Sequence, residues 1–550
     1  MLRLVMNPAV KSHLFNIFAI VLASNTVNCQ NKDSSLTAKT ATGSFTGIID
    51  PSFPRIRQWR SIPFAEPPVS SLRWLPPQKL PPDSKRHRYS AKFPPSCPQF
   101  VSGVESYWNT PLTRGNLIYN GAQNDTSGLV GEATSEDCLY LAIWSPKSKP
   151  PEGGFPVAFF MTGGGFVQGG VDLPWQNPES WVERSQSHIV VSINYRVDIF
   201  GFPNARGLAD GEQNLGILDQ RAALEWVHEN IAAFGGNPER ITQWGRSAGG
   251  MSADIHSFAW YEDPIAQAYY AESGVALNID GALEPPNELT YSNFSFVARH
   301  VGCGAPCGDG CEDKDGLAEL NCMRQVSMAQ IVNFVGQYGD RGGNPPLTFS
   351  LMIDERVIFS DYHARAKAGK IARRPAMFSM TSNEYSSLLP WPPKNLTEGP
   401  DQDVVNSATI PFSVCSLLNT TTYRNKLDIP VFRFQYAAEF PNLNTYPWLG
   451  AYHNSETPLL FGTYGLLDHI ANTTQYEVDV SRSLQDHVLA FFEDPYKGPQ
   501  KLGWEPMVTS EKDGGFMLRF GGSSGKVVEG IRGVDVDGVC SGVGEYEPFP

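Results

Sequence analysis

Five short apolar runs recur along the chain, separated by longer helical or loop stretches of mixed polarity. The runs cover residues 156–161, 189–193, 241–244, 375–378 and 430–434. Short apolar runs of this kind are typical of strands buried within a sheet. Because they alternate with helical stretches, the pattern predicts an α/β fold, with a largely parallel sheet and helices on both faces. In such sheets, ligands bind at the carboxyl ends of the strands.

A helix is predicted directly before the third apolar run. Apolar residues recur at helical spacing over residues 214–234, and a Gly-Gly pair followed by Pro238 ends the helix. The strand at 241–244 then leads into Gly245-Arg-Ser-Ala-Gly249 and a run of small residues that can begin another helix. The predicted order is helix, strand, tight turn, helix.

The turn at 245–249 has the G-x-S-x-G pattern of a nucleophile elbow. In an elbow the serine lies on a sharp strand-to-helix turn, and glycines flank it because larger side chains would collide with neighbouring backbone. The pattern alone also occurs in ordinary turns, but its position between a strand and a helix favours the elbow. Ser247 is therefore the predicted nucleophile.

This block resembles the type-B carboxylesterase, lipase and cholinesterase family of α/β-hydrolases. The resemblance covers nearly the whole chain after residue 43, and the pair Asn383-Glu384 is most similar to secreted fungal members. Further matching motifs follow in the family's order at residues 62–68, 136–141, 192–196, 200–202 and 450–456. The resemblance implies an α/β-hydrolase fold, a mostly parallel central sheet flanked by helices, with loop and helical insertions.

A serine nucleophile needs a base that takes its proton and an acid that orients the base. In α/β-hydrolases these follow the serine in the order acid, then histidine. Three histidines come late enough in the chain. His487 lies in an apparently helical segment and His469 lies near a glycosylation sequon, whereas His453 lies in a Gly/Asn/Ser loop that matches the family motif. His453 is therefore the predicted base.

Glu384 is the predicted acid. It follows the apolar run at 375–378 across a short polar turn, where a strand end would direct it at the histidine, and it matches the family's acid motif. Two residues depart from that motif: Ser379 replaces the usual glycine and Tyr385 replaces a small residue. The alternative is a carboxylate that caps a helix N-terminus.

The loop Thr162-Gly-Gly-Gly-Phe166 follows the first apolar run and resembles the family's oxyanion loop. Fixed backbone N–H groups must meet the charge that develops on the substrate oxygen. The predicted donors are Gly164, Gly165 and Ala248. Three glycines after a strand could also cradle a phosphate, but neither a G-x-G-x-x-G motif nor a P-loop lysine is present.

The length and the charge of the chain bear on its domain organisation and on its partners. The chain has 550 residues and a net charge of -14, and no linker, charge block or repeat divides it. We expect a signal peptide over residues 1–29 and a single α/β-hydrolase domain over 30–550. The acidic balance, without a basic stripe, argues against a nucleic-acid or anionic-membrane partner.

The N-terminal segment carries Arg3 and Lys11 before an apolar run over residues 14–23. This run is about half of what a bilayer span requires, so it predicts a secretory signal that is cleaved between Ala23 and Gln30. An uncleaved anchor is the alternative. The polar C-terminal segment has no lipid-anchor tail, so we expect a secreted protein without a stable membrane anchor.

If Cys29 leaves with the signal, eight cysteines remain, and an even number in an exported chain implies disulfides. The family resemblance pairs Cys97 with Cys138 and suggests Cys303 with Cys322. Cys307 with Cys311, and Cys415 with Cys540, follow only by elimination. A zinc site at the cysteine cluster is the alternative, but no histidine lies close to it. Glycosylation sequons occur at Asn124, Asn293, Asn395, Asn419 and Asn472.

Together these features predict a secreted serine hydrolase that cleaves carboxylic esters through a Ser/His/Glu acyl-enzyme. Its partner is a small-molecule or lipid ester, and no cofactor or metal is implied. Two alternatives are a triacylglycerol lipase of the same fold and a catalytically impaired binding or adhesion relative. Trp108, Tyr446 and Trp448 are candidate pocket walls; the alternative is a role in the core or on the surface.

Two sequence features leave questions open. Glu384 and His453 are only 69 positions apart, shorter than usual in this family, so either a helical insertion near residues 389–407 was trimmed or a coding segment was lost. Arg246 stands beside the nucleophile, where cholinesterase-like relatives carry an acid. Its guanidinium would disfavour choline esters if it faced the substrate; the alternative is that it pairs with a buried carboxylate behind the elbow.

Overall fold

The computed structural model describes residues 34–100, 102, 104, 134–208, 212–287, 289–304, 315–390 and 397–550. The strands in these residues are β1 Thr37–Thr40, β2 Gly43–Thr46, β3 Ile56–Pro63, β4 His87–Tyr89, β5 Tyr140–Pro146, β6 Phe155–Met161, β7 Ile189–Ile193, β8 Gly236–Arg246, β9 Ala268–Glu272, β10 Ala376–Thr381, β11 Val431–Tyr436, β12 Phe516–Phe520 and β13 Val528–Arg532. The α-helices are Glu179–Ser185, Asp198–Gly201, Leu215–Asn230, Ala248–Ala259, Ser292–His300, Leu317–Met323, Met328–Asp340, Tyr362–Lys367, Gln402–Thr409, Ser416–Asn425, Thr457–Phe461, Gln475–Glu493 and Val534–Asp537. A π-helix, Ile410–Cys415, joins two of them.

Ten of the described strands form one sheet in the order β13-β12-β11-β10-β9-β8-β6-β7-β5-β3. The strands from β12 through β7 in this order run parallel, and antiparallel strands lie only at the two edges. A second, small sheet has the order β1-β2-β4. The predicted α/β-hydrolase fold, with its mostly parallel sheet and flanking helices, is confirmed.

The central strands are buried on both faces, which explains why they are almost wholly apolar. In β6, Ala158 and Phe160 pack in the core formed with the helices Glu179–Ser185 and Gln475–Glu493, whereas Val157 and Phe159 pack with the helix Leu215–Asn230 on the other face. Alternate side chains of one strand therefore enter two different cores.

The five apolar runs correspond to β6, β7, β8, β10 and β11. Two boundaries differ from the prediction. The helix over 214–234 is α-helical only to Asn230, and a 3-10 turn carries the chain on to Phe234. β8 begins at Gly236 rather than at 241, because Gly236 already pairs with Phe155 across a register shift.

The described residues contain three disulfides: Cys97–Cys138, Cys303–Cys322 and Cys415–Cys540. The last of these ties the π-helix to the C-terminal segment. Asn419 and Asn472 are exposed, whereas the side-chain amide of Asn293 donates a hydrogen bond to Thr348 O at 2.9 Å. The predicted signal over 1–29, and Cys307, Cys311, Asn124, Asn395 and Trp108, lie outside the described residues.

Among the described residues, no helix is long and apolar enough to cross a bilayer. No group of His, Cys, Asp and Glu side chains in the same ranges could hold a metal ion.

The first prediction concerns the cysteines. If the chain without its first 29 residues pairs all eight, thiol titration of the denatured, unreduced protein finds no free thiol, and the reduced control titrates eight. A titration of about two free thiols would mean that one of the four predicted pairs is not formed. Peptide mapping would then identify which pair it is, and a free Cys307 with a free Cys311 would contradict the pairing inferred by elimination.

Candidate active site

Ser247 lies on a sharp turn between β8 and the helix Ala248–Ala259. Its φ is 56° and its ψ is -123°, a conformation that non-glycine residues rarely adopt. Such backbone strain costs of order 1–3 kcal/mol and persists only where its surroundings hold it. Here Ser247 N donates to Glu272 O at 2.7 Å, and Ser247 O accepts from Met251 N at 2.8 Å.

The two glycines of the elbow are required by close backbone packing. A Cβ on Gly249 would lie 2.0 Å from Met161 O, and a Cβ on Gly245 would lie 2.2 Å from Gly249 O. Both distances are far shorter than the closest approach of non-bonded carbon and oxygen atoms. The helix can therefore begin directly against β6, which leaves the side chain of Ser247 partly exposed at the carboxyl end of the sheet.

The glycine loop after β6 faces the serine. Gly164 and Gly165 have φ values of 119° and 63° and line the same cavity as Ser247. Among the described residues, the N–H groups of Gly164 and Gly165 donate no hydrogen bond to the protein. Ala248 N–H is the first amide of its helix and has no intrahelical acceptor. These three donors are free to meet an oxyanion.

Glu384 and His453 are in direct contact, since Glu384 Oε1 hydrogen-bonds to His453 Nδ1. The other carboxylate oxygen, Oε2, accepts hydrogen bonds from Thr381 N and Thr381 Oγ1, both at 2.8 Å, and from Ser273 Oγ at 3.2 Å. Glu384 is 1% exposed and His453 is 6% exposed. The contact leaves His453 Nε2 as the ring nitrogen available for proton transfer at the cavity.

The charge of Glu384 is stabilised by these partners. Burial raises the pKa of the carboxyl, but the neighbouring His453 and the hydrogen bonds from Thr381 outweigh it and lower the pKa below its usual range. The group therefore remains a carboxylate at neutral pH.

Backbone pairing brings the two loops together. Asn383 and Tyr452 form an isolated parallel bridge, with Asn383 N donating to Ala451 O at 2.9 Å and His453 N donating to Glu384 O at 3.3 Å. The side chain of Asn383 also donates to Leu449 O at 3.0 Å. The short interval of 69 positions thus still permits the contact between acid and histidine.

Gly164, Gly165, Ser247, Glu384 and His453 line one cavity of about 370 Å³, whereas Ala248 is not part of its lining. One wall is apolar or aromatic and is formed by Val167, Met251, Tyr385, Leu388 and Phe412. The rings of Tyr385 and Phe412 lie 6.0 Å apart, and the side chain of Asn278 holds the Phe412 carbonyl. Leu388 and Phe412 are 42% and 44% exposed, so this wall extends to the mouth.

Other predicted residues lie elsewhere. Tyr446 and Trp448 do not line the cavity; they stack on each other at 5.7 Å and pack with Leu449 and Tyr452, so of the two roles that the sequence left open they take the one in the core. His469 and His487 bond backbone carbonyls of their own segments and lie outside the cavity.

Arg246 is 4% exposed and lies close to three buried carboxylates, those of Glu272, Glu384 and Glu456. Arg246 also lines the cavity beside Ser247, so it meets both the buried acids and the space that a substrate would occupy. Ser379, which departs from the family motif, hydrogen-bonds Tyr270 through its hydroxyl at 3.1 Å.

Sequence reasoning missed Ser273, Glu272 and the apolar wall at Leu388 and Phe412. No local pattern marks the wall, because its residues come from a loop and a π-helix that only the fold brings together. Glu456 did carry a signal, since it closes the motif at 450–456.

Comparison with known proteins agrees with this geometry. A sequence profile of the carboxylesterase family matches residues 34–410, more than half of the chain. The chain is 36% identical to "Chlorogenic acid esterase" of Aspergillus niger, over 88% of this chain and 87% of that protein. It is 34% identical to "Secreted lipase 5" of Gibberella zeae, over 90% of this chain and 92% of the relative. It is also 29% identical to mouse "Cholinesterase", over 64% and 54% of the two chains. The chain therefore belongs to the carboxylesterase family and is a carboxylic ester hydrolase.

Proposed function

We propose that the chain is a secreted esterase that hydrolyses small carboxylic esters through an acyl-enzyme on Ser247. The observation that carries the proposal is the convergence of three groups on one cavity. These are the strained serine, the histidine in contact with Glu384, and the glycine loop with its free N–H groups.

The first half of the reaction forms the acyl-enzyme. Ser247 Oγ attacks the ester carbonyl carbon while His453 Nε2 takes its proton, and the N–H groups of Gly164, Gly165 and Ala248 hold the resulting oxyanion. The tetrahedral intermediate collapses when His453 returns the proton to the leaving alkoxide. The alcohol then departs, and the acyl group stays on Ser247.

The second half releases the acid. Water attacks the acyl carbonyl, and His453 takes one of its protons. Collapse of the second intermediate returns that proton to Ser247 Oγ and frees the carboxylic acid. In both halves, Glu384 keeps Nδ1–H of His453 in place and stabilises the transient imidazolium.

Cavity size favours small esters over triacylglycerols. Its volume of about 370 Å³ lies near the lower end of the range for small-molecule sites, roughly 300–1,000 Å³. The apolar wall suits the acyl chain or an aromatic group of such an ester. The relative named as a chlorogenic acid esterase agrees with a small ester, whereas the one named as a secreted lipase keeps a lipase as the second candidate.

Export of the chain is part of the proposal. Relatives named as secreted lipases and the disulfides of the described residues support it. We include in it a signal over 1–29, a single domain over 30–550, and glycans at the exposed Asn419 and Asn472.

The second prediction tests the catalytic groups. Ser247→Ala removes the nucleophile and lowers kcat for a nitrophenyl ester by roughly 10⁴-fold or more, and Glu384→Gln lowers it by about 10³–10⁴-fold because the imidazolium loses its partner. Ser407→Ala, at an exposed serine, retains wild-type kcat. Near-wild-type turnover by Ser247→Ala would refute the assignment of the nucleophile.

Labelling by a fluorophosphonate separates the esterase from the adhesion alternative. The wild-type protein and Ser407→Ala should label, and Ser247→Ala should not. A folded wild-type protein that fails to label would favour the binding relative.

The third prediction concerns acyl length. Phe412→Ala opens the apolar wall, so the ratio of kcat/KM for nitrophenyl octanoate to that for the acetate should rise by about 10-fold. Val404→Ala, in the adjacent helix and exposed, is the matched control and should leave the ratio unchanged. An unchanged ratio in Phe412→Ala would mean that the acyl chain binds elsewhere.

A further inference from the structure

Three buried carboxyl groups lie together behind the proposed nucleophile. Glu272, Glu384 and Glu456 are each 1% exposed, and each lies within electrostatic reach of the others. Three buried negative charges would repel one another strongly, so such a cluster needs protons or cations. Glu384 has His453 as its partner, which leaves Glu272 and Glu456 to be explained.

Hydrogen bonds from other residues reach only one oxygen of each of these two carboxyl groups. Glu272 Oε2 accepts from Trp244 Nε1 at 2.9 Å, and Glu456 Oε1 accepts from Ser273 Oγ at 3.5 Å. Within the described ranges, Glu272 Oε1 and Glu456 Oε2 are buried and receive no donor from any other side chain or from the backbone. These two oxygens are available for a contact between the two carboxyls.

The two carboxyls lie within interaction range of each other, and Ser273, the residue after Glu272, donates to Glu456 Oε1 at 3.5 Å. An ionised carboxylate has no donor, so a hydrogen bond between two carboxyls requires that one of them carry a proton. Trp244 Nε1 donates to Glu272 and favours its ionised form, whereas Glu456 faces two other carboxyls, those of Glu272 and Glu384. Glu456 is therefore the donor and Glu272 the acceptor.

Arg246 supplies the matching positive charge. Arg246 and Glu272 are direct cross-strand partners at the ends of β8 and β9. The guanidinium passes beneath the oxyanion loop, where a Cβ on Gly163 would lie 2.9 Å from its Nη2, and its Nε is buried without a hydrogen-bond partner in the described part of the chain. A guanidinium stays protonated even when buried, so it needs a nearby negative charge.

We propose that Glu456 and Glu272 share a single proton at neutral pH, forming a carboxylic acid–carboxylate pair whose one negative charge is balanced by Arg246. The pair supports the site from behind, because Ser273 Oγ lies between Glu456 and Glu384, at 3.5 and 3.2 Å. The positive charge of Arg246 cancels the negative charge of the pair. Glu384 then carries the one uncompensated charge of this cluster, and it faces His453. Glu272 and Glu456 are positioning residues, since neither of them lines the cavity.

The surroundings of the pair contain further titratable groups. Tyr270 of β9 and Tyr436 of β11 face Glu456, Tyr195 faces Arg246, and burial raises the pKa of all three tyrosines. They stay neutral in the range where the pair would change its charge. Arg246, Glu384 and His453 are the other charged or chargeable groups around it.

Amide substitutions test the shared proton. In Glu456→Gln the new amide donates to Glu272, and in Glu272→Gln it donates to an ionised Glu456, so each single variant keeps one negative charge. Each should therefore keep the wild-type midpoint of the acid limb of kcat/KM. The double variant leaves Arg246 unbalanced, which disfavours protonated His453 and lowers that midpoint by about one pH unit.

If either single variant shifts the midpoint of the acid limb as far as the double variant does, the proposal is wrong. Such a result requires two independent negative charges. This kinetic arm rests on the proposed function. A second measurement does not, and it distinguishes failure of the pair from failure of the esterase assignment.

The second measurement is denaturant unfolding as a function of pH. The folded pair retains a proton that the unfolded chain releases above the ordinary glutamate pKa of 4.5, so this proton stabilises the fold at low pH and the stabilisation is lost as pH rises. Between about pH 5.5 and 7, the folding constant of the wild type should fall relative to either single amide variant by about tenfold per pH unit.

The matched control is Glu152→Gln, at an exposed side chain. Its unfolding should follow the wild-type pH dependence. Equal pH dependence in the wild type and in both Glu456→Gln and Glu272→Gln would show that no proton is held between the two carboxyls. If one amide variant fails to fold, the other still decides the result.

Discussion

Close backbone packing at the elbow is the constraint on which the rest of the site depends. Gly249 lies against Met161 O and Gly250 against Glu272 O, at separations where a Cβ would come within 2.0 and 2.6 Å. The helix Ala248–Ala259 can begin only because both positions lack a side chain. That start fixes the strained φ of Ser247.

Parallel strands bring the other groups to the same place. The glycine loop leaves the carboxyl end of β6, the serine leaves β8, Ser273 leaves β9 and Glu384 leaves β10. The histidine loop is then attached by the bridge between Asn383 and Tyr452 rather than by a strand of its own. Because this attachment is made by backbone hydrogen bonds, it tolerates a short connection between acid and base.

Much of the fold could be predicted from the sequence because double-sided burial leaves a strong apolar signal in strands such as β6 and β11. Ser247 was also predictable, since its turn requires glycines at fixed offsets. Glu384 could be selected among many carboxylates only with the help of the family motif, because an acid after a strand has no distinctive local pattern.

The apolar wall and the carboxyl pair could not be predicted in the same way. Phe412 belongs to a π-helix held by Asn278, and Glu272 meets Glu456 only because strand β9 and the histidine loop converge in space. The sequence could not decide between a pocket wall and a core position for Tyr446 and Trp448, for a related reason. Their rings stack on each other, and nothing in their spacing reveals which side of the histidine loop they cover.

The most direct test of the account is to trap the covalent intermediate. The enzyme is mixed with excess nitrophenyl acetate, quenched in acid during the first turnovers and analysed by intact mass and peptide mapping. The account predicts one added acetyl group per chain, located on Ser247. Steady hydrolysis with no adduct, or with the acetyl group on another residue, would contradict it.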